Sequence, residues 1–130
     1  MKGTVWFDGA CLGNPGPMGA GAVVQIGSIR QDLSVPMGRG TNNEAEYHGL
    51  LLGLRQALAA GVDDVLVHGD SQLVIRQLKG EYAVKAENLR PLFADAKAVL
   101  ARFKVVHLEW VPREENGAAD ALSMKAARAR

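Results

Sequence analysis

The order of apolar segments along the chain constrains its fold more than any other feature of the sequence. Three strand-like segments, at residues 2–8, 19–26 and 29–35, occupy the first third and are joined by turns rich in glycine and proline. After residue 41, segments with helical spacing alternate with short apolar segments. Strands joined by tight turns are antiparallel, whereas strands joined through a helix are parallel neighbours. The sequence therefore predicts an α/β fold with one mixed sheet flanked by helices.

The boundaries of these elements follow from glycine, proline and capping residues. The first strand is expected to end at Asp8-Gly9, and Pro36 is expected to end the third strand. Gly27-Ser28 predicts a tight hairpin between the second and third strands. The later elements are predicted as a helix from the capping residues 41–43 to Gly61, a strand over 64–69, a helix from Asp70-Ser71 to Gly80, a helix over 88–103 with Pro91 in its first turn, a strand over 104–111 ended by Pro112, and a last helix after Gly117.

Length and composition indicate a single domain over residues 1–130. A net charge of +1 gives no overall field that holds a polyanion, so any affinity for nucleic acid must come from a local patch. The single cysteine, Cys11, cannot form an intramolecular disulfide and fits a reducing compartment. No apolar run approaches the ~18 residues of a membrane span. We therefore expect a cytoplasmic protein without a membrane partner.

Four acidic residues lie at the ends of predicted elements: Asp8, Glu46, Asp70 and Asp120. Sites in α/β sheets form at the carboxyl ends of parallel strands, where Asp8 and Asp70 are placed. A cluster of carboxylates can hold two divalent ions about 4 Å apart, which together hydrolyse a phosphodiester.

Each acid alone also has an ordinary explanation. Asp8 can form a turn, Glu46 can complete a capping box with Asn43, Asp70 can cap a helix, and Asp120 can be a solvated surface acid. The explanation is weakest for Asp8, which follows an apolar strand where an unpaired charge is costly.

Four motifs together resemble those of the type 1 ribonuclease H family, in family order and along nearly the whole chain. They are Asp8-Gly9-Ala10-Cys11-Leu12-Gly13-Asn14-Pro15-Gly16-Pro17, Thr41-Asn42-Asn43-Glu44-Ala45-Glu46, Gly69-Asp70-Ser71-Gln72 and Trp110-Val111-Pro112 followed by Asn116 and Asp120. The resemblance implies a ribonuclease H-like fold whose five-stranded mixed sheet has the order 3-2-1-4-5, with strand 2 antiparallel. It also implies cleavage of the RNA strand of RNA·DNA hybrids, with 5′-phosphate and 3′-hydroxyl ends, by two Mg²⁺ ions that Mn²⁺ can replace.

The resemblance also implies a role for each matching residue. Asp8 is expected to bridge both metal ions, Glu46 and Asp70 to complete the ion on the leaving-group side, and Asp120 to hold the ion that presents the water. The residues expected to contact substrate are Cys11, Asn14, Thr41, Asn42, Ser71 and Gln72, with Thr41 near a phosphate of the DNA strand. Ordinary turn and cap chemistry is the alternative for the asparagines.

The sequence departs from longer family members in two places. It lacks a basic insertion between Gly80 and Asn88, as in the compact subset of the family, so Lys79, Tyr82 and Lys85 are the candidates for gripping the DNA strand. A solvated loop explains these three equally well. Before Asp120 there is no histidine to move a proton, and Arg113 is expected in its place, contacting phosphate or easing product release.

Three other functions are compatible with parts of this pattern. The first is a non-catalytic module that binds hybrids or duplexes, although all four acids are present. The second is a nuclease that also cuts double-stranded RNA. The third is an actin-like ATPase, for which 130 residues leave no room for a second lobe. We expect a monomer.

Overall fold

A computed structural model describes residues 1–129 of the protein, which form one five-stranded sheet and four α-helices. The elements in chain order are β1 (Lys2–Cys11), β2 (Gly16–Ile26), β3 (Ile29–Gly40), α1 (Asn42–Ala59), β4 (Asp64–Gly69), α2 (Gln72–Leu78), α3 (Arg90–Leu100), β5 (Val105–Trp110), a 3-10 turn (Arg113–Glu115) and α4 (Gly117–Arg128). The strand order is β3-β2-β1-β4-β5. Strand β2 is antiparallel to β1 and β3, whereas β1, β4 and β5 are parallel. The predicted fold class and strand order are confirmed.

Strand β1 is longer than predicted and does not end at Asp8. It continues to Cys11 because its last residues pair with β2, from Asp8 opposite Gly21 to Cys11 opposite Met18. Only the parallel pairing with β4 stops before the acid, at Phe7 opposite Gly69. Asp8 is therefore at the carboxyl end of the parallel part of the sheet while its backbone is held in an antiparallel ladder.

Strand β3 also runs further than predicted, because Pro36 does not end it. Pro36 pairs with Gly19 of β2, and β3 continues to Gly40. Strand β3 is at the edge of the sheet, where a residue without an N–H is tolerated. Strand β2 correspondingly begins at Gly16 rather than Gly19.

Helix α3 is shorter than the predicted 88–103 and lies over Arg90–Leu100. Asn88 does not cap it, because the Asn88 side-chain amide donates instead to Glu44 Oε1 at 3.2 Å. The chain turns after Leu100, where the N–H of Phe103 donates to the Leu100 carbonyl oxygen at 3.1 Å. Pro91 lies in the first turn, as predicted.

Helices α1 and α4 pack on opposite faces of the sheet. Neighbouring residues of a strand point to opposite faces: a Cβ at Gly21 of β2 would meet α4, whereas Ala22 lies beside Gly53 of α1. The added Cβ at Gly21 would lie 2.4 Å from the carbonyl oxygen of Ala119, so only glycine allows this approach. The core lies mainly between the sheet and α1, α2 and α3. Over residues 1–129, no helix is both long and apolar enough to cross a bilayer.

Candidate active site

Three carboxylates from three different elements meet at the carboxyl end of the parallel strands. Asp8 comes from β1, Glu46 from α1, and Asp70 from the residue that follows β4, and each offers an oxygen within 4.8 Å of the other two. They lie in a cleft of ≈ 530 Å³. The other residues that line the cleft are Gly9, Ala10, Cys11, Asn42, Asn43, Ser71, Arg113, Asp120 and Met124.

Two glycines allow α1 to approach β1 closely enough for Glu46 to reach Asp8. A Cβ at Gly9 would lie 2.0 Å from the carbonyl carbon of Ala45, and one at Gly49 would lie 2.1 Å from the Asp8 carbonyl oxygen. Both neighbours are backbone atoms, so a larger residue would push the helix away from the strand. Sequence reasoning treated Gly9 as part of a turn and assigned no role to Gly49. A signal for Gly49 was present in the sequence but was not used: Gly49 lies one helical turn after Ala45.

Burial disfavours the charged form of Asp8. The residue is 5% exposed, and burial raises its pKa from 3.8 to about 7, with the charge of Asp70 and the contact with Asp120 acting in the same direction. The Glu46 side chain and the N–H of Gly9, which donates to Asp8 Oδ1 at 2.9 Å, oppose this rise. The Asp8 carboxyl is therefore much harder to ionise in the folded protein than a solvated aspartate.

Burial disfavours the charged form of Glu46 as well, and only a contact with the Gly9 backbone opposes this effect. Burial and the charge of Asp8 raise the pKa of Glu46 well above its ordinary value, and its buried Oε2 has no hydrogen-bond partner. Asp70 is half-buried, and burial raises its pKa against the opposing contact from Asn116. A set of close carboxyl groups whose charged forms are disfavoured by burial and by one another, with an unpaired buried oxygen on Glu46, fits a hard divalent cation such as Mg²⁺.

Asp120, the fourth predicted ligand, lies beside the trio rather than inside it. It occupies the first turn of α4, and its side chain is 33% exposed. Arg113 Nη2 lies 4.0 Å from Asp120 Oδ1, and the Arg113 side chain is 78% exposed. The structure therefore brings all four predicted acids and Arg113 into one cleft.

The predicted substrate residues lie in or beside this cleft, and several of them also serve the backbone. Cys11, Asn42 and Ser71 line it, and Gln72 is exposed at the start of α2. The Cys11 thiol donates to the carbonyl oxygen of Gly40 at 3.1 Å. Asn14 Oδ1 accepts the N–H of Asn42 at 3.1 Å, which joins the β1–β2 turn to the start of α1.

The capping box of α1 differs from the one weighed from the sequence. It joins Thr41 and Glu44, not Asn43 and Glu46: Thr41 Oγ1 accepts the N–H of Glu44 at 3.3 Å, and Glu44 Oε1 accepts the N–H of Thr41 at 3.1 Å. Helix α2 is likewise capped by Ser71, whose Oγ accepts the N–H of Val74, and not by Asp70. Because the caps use other residues, the carboxylates of Glu46 and Asp70 are left for the cleft.

The candidates for a DNA-strand grip are exposed in the segment between α2 and α3 (residues 79–89) and do not line the cleft. These are Lys79, Tyr82 and Lys85. The Tyr82 ring already contacts the guanidinium of Arg76, at 5.3 Å from its centroid. Asn88, which the sequence suggested only as a helix start, joins this segment to α1 through Glu44.

Two further residues contact Asp70 directly. Trp110 Nε1 donates to the Asp70 carbonyl oxygen at 3.0 Å, and Asn116 Nδ2 lies 3.5 Å from Asp70 Oδ1. Both belong to the last sequence motif but had no predicted role. For Trp110, the available sequence signal was a tryptophan at the end of a predicted strand, just before Pro112, and in the structure this side chain is 45% exposed.

Comparison with known families and proteins gives a consistent result. Residues 6–126 match the family model described as reverse transcriptase-like. The chain is 41% identical over 123 residues to ribonuclease HI of Halobacterium salinarum, covering 93% of this chain and 62% of that protein. It is 40% identical over 126 residues to the bifunctional protein Rv2228c of Mycobacterium tuberculosis, covering 95% of this chain. The chain spans only 35% of the length of that relative.

Solved structures agree with the sequence matches. The RNase H1 of Halobacterium salinarum superposes with a TM-score of 0.93 at 39% identity, covering 97% of each chain. The N-terminal RNase H domain of Rv2228c also gives 0.93, at 40% identity, covering 97% of this chain and 93% of that one. LC11-RNase H1, isolated from compost by a metagenomic approach and solved with an RNA/DNA hybrid, gives 0.88 at 32% identity over 96% of each chain.

Proposed function

The chain belongs to the type 1 ribonuclease H family, and from this membership we propose that it is an endonuclease that hydrolyses the RNA strand of RNA·DNA hybrids. The observation that carries the proposal is the meeting of Asp8, Glu46 and Asp70 in one cleft at the carboxyl end of the parallel strands. A relative of the same fold has been solved with an RNA/DNA hybrid, which supports the choice of substrate.

We propose that these acids hold two Mg²⁺ ions and that Mn²⁺ can replace them. Bound there, the ions would supply an activated water, charge neutralisation at the phosphate and stabilisation of the leaving oxygen, and the expected products carry 5′-phosphate and 3′-hydroxyl ends. Asp8, the most buried of the acids, would hold both ions. Glu46 and Asp70 would complete the site on the leaving-group side, and Asp120 at the exposed rim would hold the site that presents water.

The remaining residues of the cleft would bind and orient the hybrid. Short polar groups can contact 2′-hydroxyls across a minor groove, a role that we assign to Cys11, Asn14, Asn42, Ser71 and Gln72. Thr41, at the N-terminus of α1, would lie near a phosphate of the DNA strand, where the helix dipole favours negative charge. The exposed guanidinium of Arg113 would contact phosphate or ease product release, since arginine does not give up its proton near neutral pH.

A cleavage assay on four substrates tests the proposal. An RNA·DNA hybrid, duplex RNA, single-stranded RNA and duplex DNA are incubated with Mg²⁺, comparing the wild type with Asp8→Asn. Asp95→Asn, which removes an exposed carboxylate from α3, is the matched control. We expect the wild type and the control to cut only the RNA of the hybrid, and Asp8→Asn to be inactive.

Each other outcome has a defined meaning. Binding of the hybrid without cleavage would indicate a non-catalytic module, and cleavage of duplex RNA would indicate a relaxed nuclease. Cleavage that persists in excess EDTA would contradict the metal mechanism. A monomeric state and a cytoplasmic location stay predictions, to be checked by light scattering and by fractionation of the source cells.

A further inference from the structure

Asn116 is a buried amide at the junction of three elements that carry acids. It is 1% exposed, and its Nδ2 donates to the carbonyl oxygen of Phe7, the residue before Asp8, at 2.8 Å. The same Nδ2 lies 3.5 Å from Asp70 Oδ1. Its backbone carbonyl oxygen accepts the N–H of Asp120 at 3.0 Å. One residue therefore contacts the strand of Asp8, the side chain of Asp70 and the backbone of Asp120.

The position of Asn116 in the sequence would ordinarily give it another role. It precedes α4, where an asparagine side chain commonly caps the helix by accepting an N–H of the first turn. Here the side chain makes no such bond, and its buried Oδ1 has no hydrogen-bond partner. The unpaired buried oxygen and the missing helix cap both cost stability. Helix capping therefore does not explain why an asparagine occupies this position, and the contacts of Nδ2 are the remaining structural role of the side chain.

The contact with Asp70 has a consequence for its orientation. A donor on one side of the carboxylate restrains its rotation and leaves the other lone pairs for a ligand in the cleft. The Trp110 indole donates to the Asp70 carbonyl oxygen and so restrains the backbone of the same residue.

We propose that Asn116 is a positioning residue whose side chain holds the Asp70 carboxylate in a fixed place relative to Asp8, so that the acids bind divalent ions in one geometry. Asn116 touches neither the ions nor the hybrid and acts through the acids. The proposal rests on the function proposed above. Residues that orient metal ligands from behind commonly change metal affinity or activity by about 10–100-fold when they are replaced.

The first test measures metal affinity directly. Mn²⁺ is titrated calorimetrically into the wild type and Asn116→Ala, and we expect the dissociation constant to rise by about 10-fold. Tyr47→Phe is the matched control, because it removes a buried side-chain bond, from Tyr47 Oη to Gln77 Oε1 at 2.6 Å, that contacts no acid. Both variants are expected to lower the melting temperature, but the control is expected to keep the Mn²⁺ dissociation constant within 2-fold of the wild type.

The second test separates turnover from substrate binding. Since Asn116 is buried behind the acids, Asn116→Ala is expected to lower kcat about 10-fold at fixed Mg²⁺ and to leave the KM for the hybrid unchanged. A large excess of Mg²⁺ should recover part of kcat. Asn116→Ser, which is smaller but keeps a donor, should lie between the wild type and Asn116→Ala. It also serves as the test variant if Asn116→Ala does not fold.

The outcomes also separate this proposal from the proposed function. A wild type that neither binds Mn²⁺ nor cuts the hybrid would overturn the function itself. An active wild type whose Asn116 variants keep the same Mn²⁺ dissociation constant and kcat would overturn the positioning role alone. A double-mutant cycle with Asp70→Asn is expected to be strongly non-additive in Mn²⁺ affinity, and additive effects would show that Asn116 does not act through Asp70.

Discussion

Replacing Asp8 with asparagine should make the metal-free protein more stable while it abolishes cleavage. Asp8 is 5% exposed, and its pKa rises from 3.8 to about 7 on folding, mainly because of burial. Because a tenfold change in an ionisation constant corresponds to about 1.4 kcal/mol, the ionised Asp8 lowers the free energy of unfolding by an amount on the order of a few kcal/mol. Asparagine has nearly the same shape and can still accept the N–H of Gly9, which lies 2.9 Å from Asp8 Oδ1.

The gain in stability from Asp8→Asn should increase as the pH rises. Because the native state of the wild type holds its proton to about pH 7 and the unfolded state loses it near pH 4, the metal-free wild type loses stability as pH rises through this window. The advantage of Asp8→Asn should therefore be absent near pH 4 and complete near pH 8, where its melting temperature in EDTA should exceed that of the wild type by more than about 5 °C.

Thermal melts at several pH values, with EDTA and with saturating Mg²⁺, measure this effect. Mg²⁺ should raise the melting temperature of the wild type more than that of Asp8→Asn, because ligands that bind the native state stabilise it. Asp95→Asn, on the exposed surface of α3, controls for the loss of one negative charge. A metal-free Asp8→Asn that is less stable than the wild type at pH 8 would refute the idea that Asp8 is held at a cost for the sake of metal binding.

Three further predictions concern the rim, the helix contact and the substrate grip. Arg113→Ala should lower kcat several-fold without abolishing cleavage, because this exposed side chain lies 4.0 Å from Asp120 rather than among the buried acids; an unaltered rate in steady-state assays would remove it from the site. Gly49→Ala should destabilise the protein by about 2 kcal/mol or more in urea titrations and reduce activity, since the new Cβ would lie 2.1 Å from the carbonyl oxygen of Asp8. Gly117→Ala, whose Cβ would meet nothing within 4 Å, should be neutral or stabilising. Hybrid affinity should fall steeply with salt in binding titrations, and replacing a lysine of the 79–89 segment should reduce the slope by about one; a salt-insensitive constant would contradict a backbone grip.

The fold class could be predicted from the sequence because its local signals agree with one another. Apolar segments of strand length, glycine turns and the capping residues before α1 each depend on nearby residues, and they predicted the mixed sheet, whereas the strand order came from the family resemblance. The predicted ends of strands were wrong where pairing with a residue distant in the sequence sets the length of the strand. Strand β1 passes Asp8 because β2 pairs with it, and β3 passes Pro36 because no strand lies on its other side among the described residues.

By itself, the sequence determined which side chains are available for chemistry: four acids at element ends, in motifs whose order identifies the family. Only the tertiary structure decided how they act together. Three features depend on residues that are far apart in the chain. They are the glycine contacts that let α1 and α4 pack closely on the sheet, the burial that raises the pKa of Asp8, and the bonds of the Asn116 amide to Phe7 and Asp70. Local propensity carries no information about such contacts, because their distances and their electrostatic cost exist only after the chain has folded.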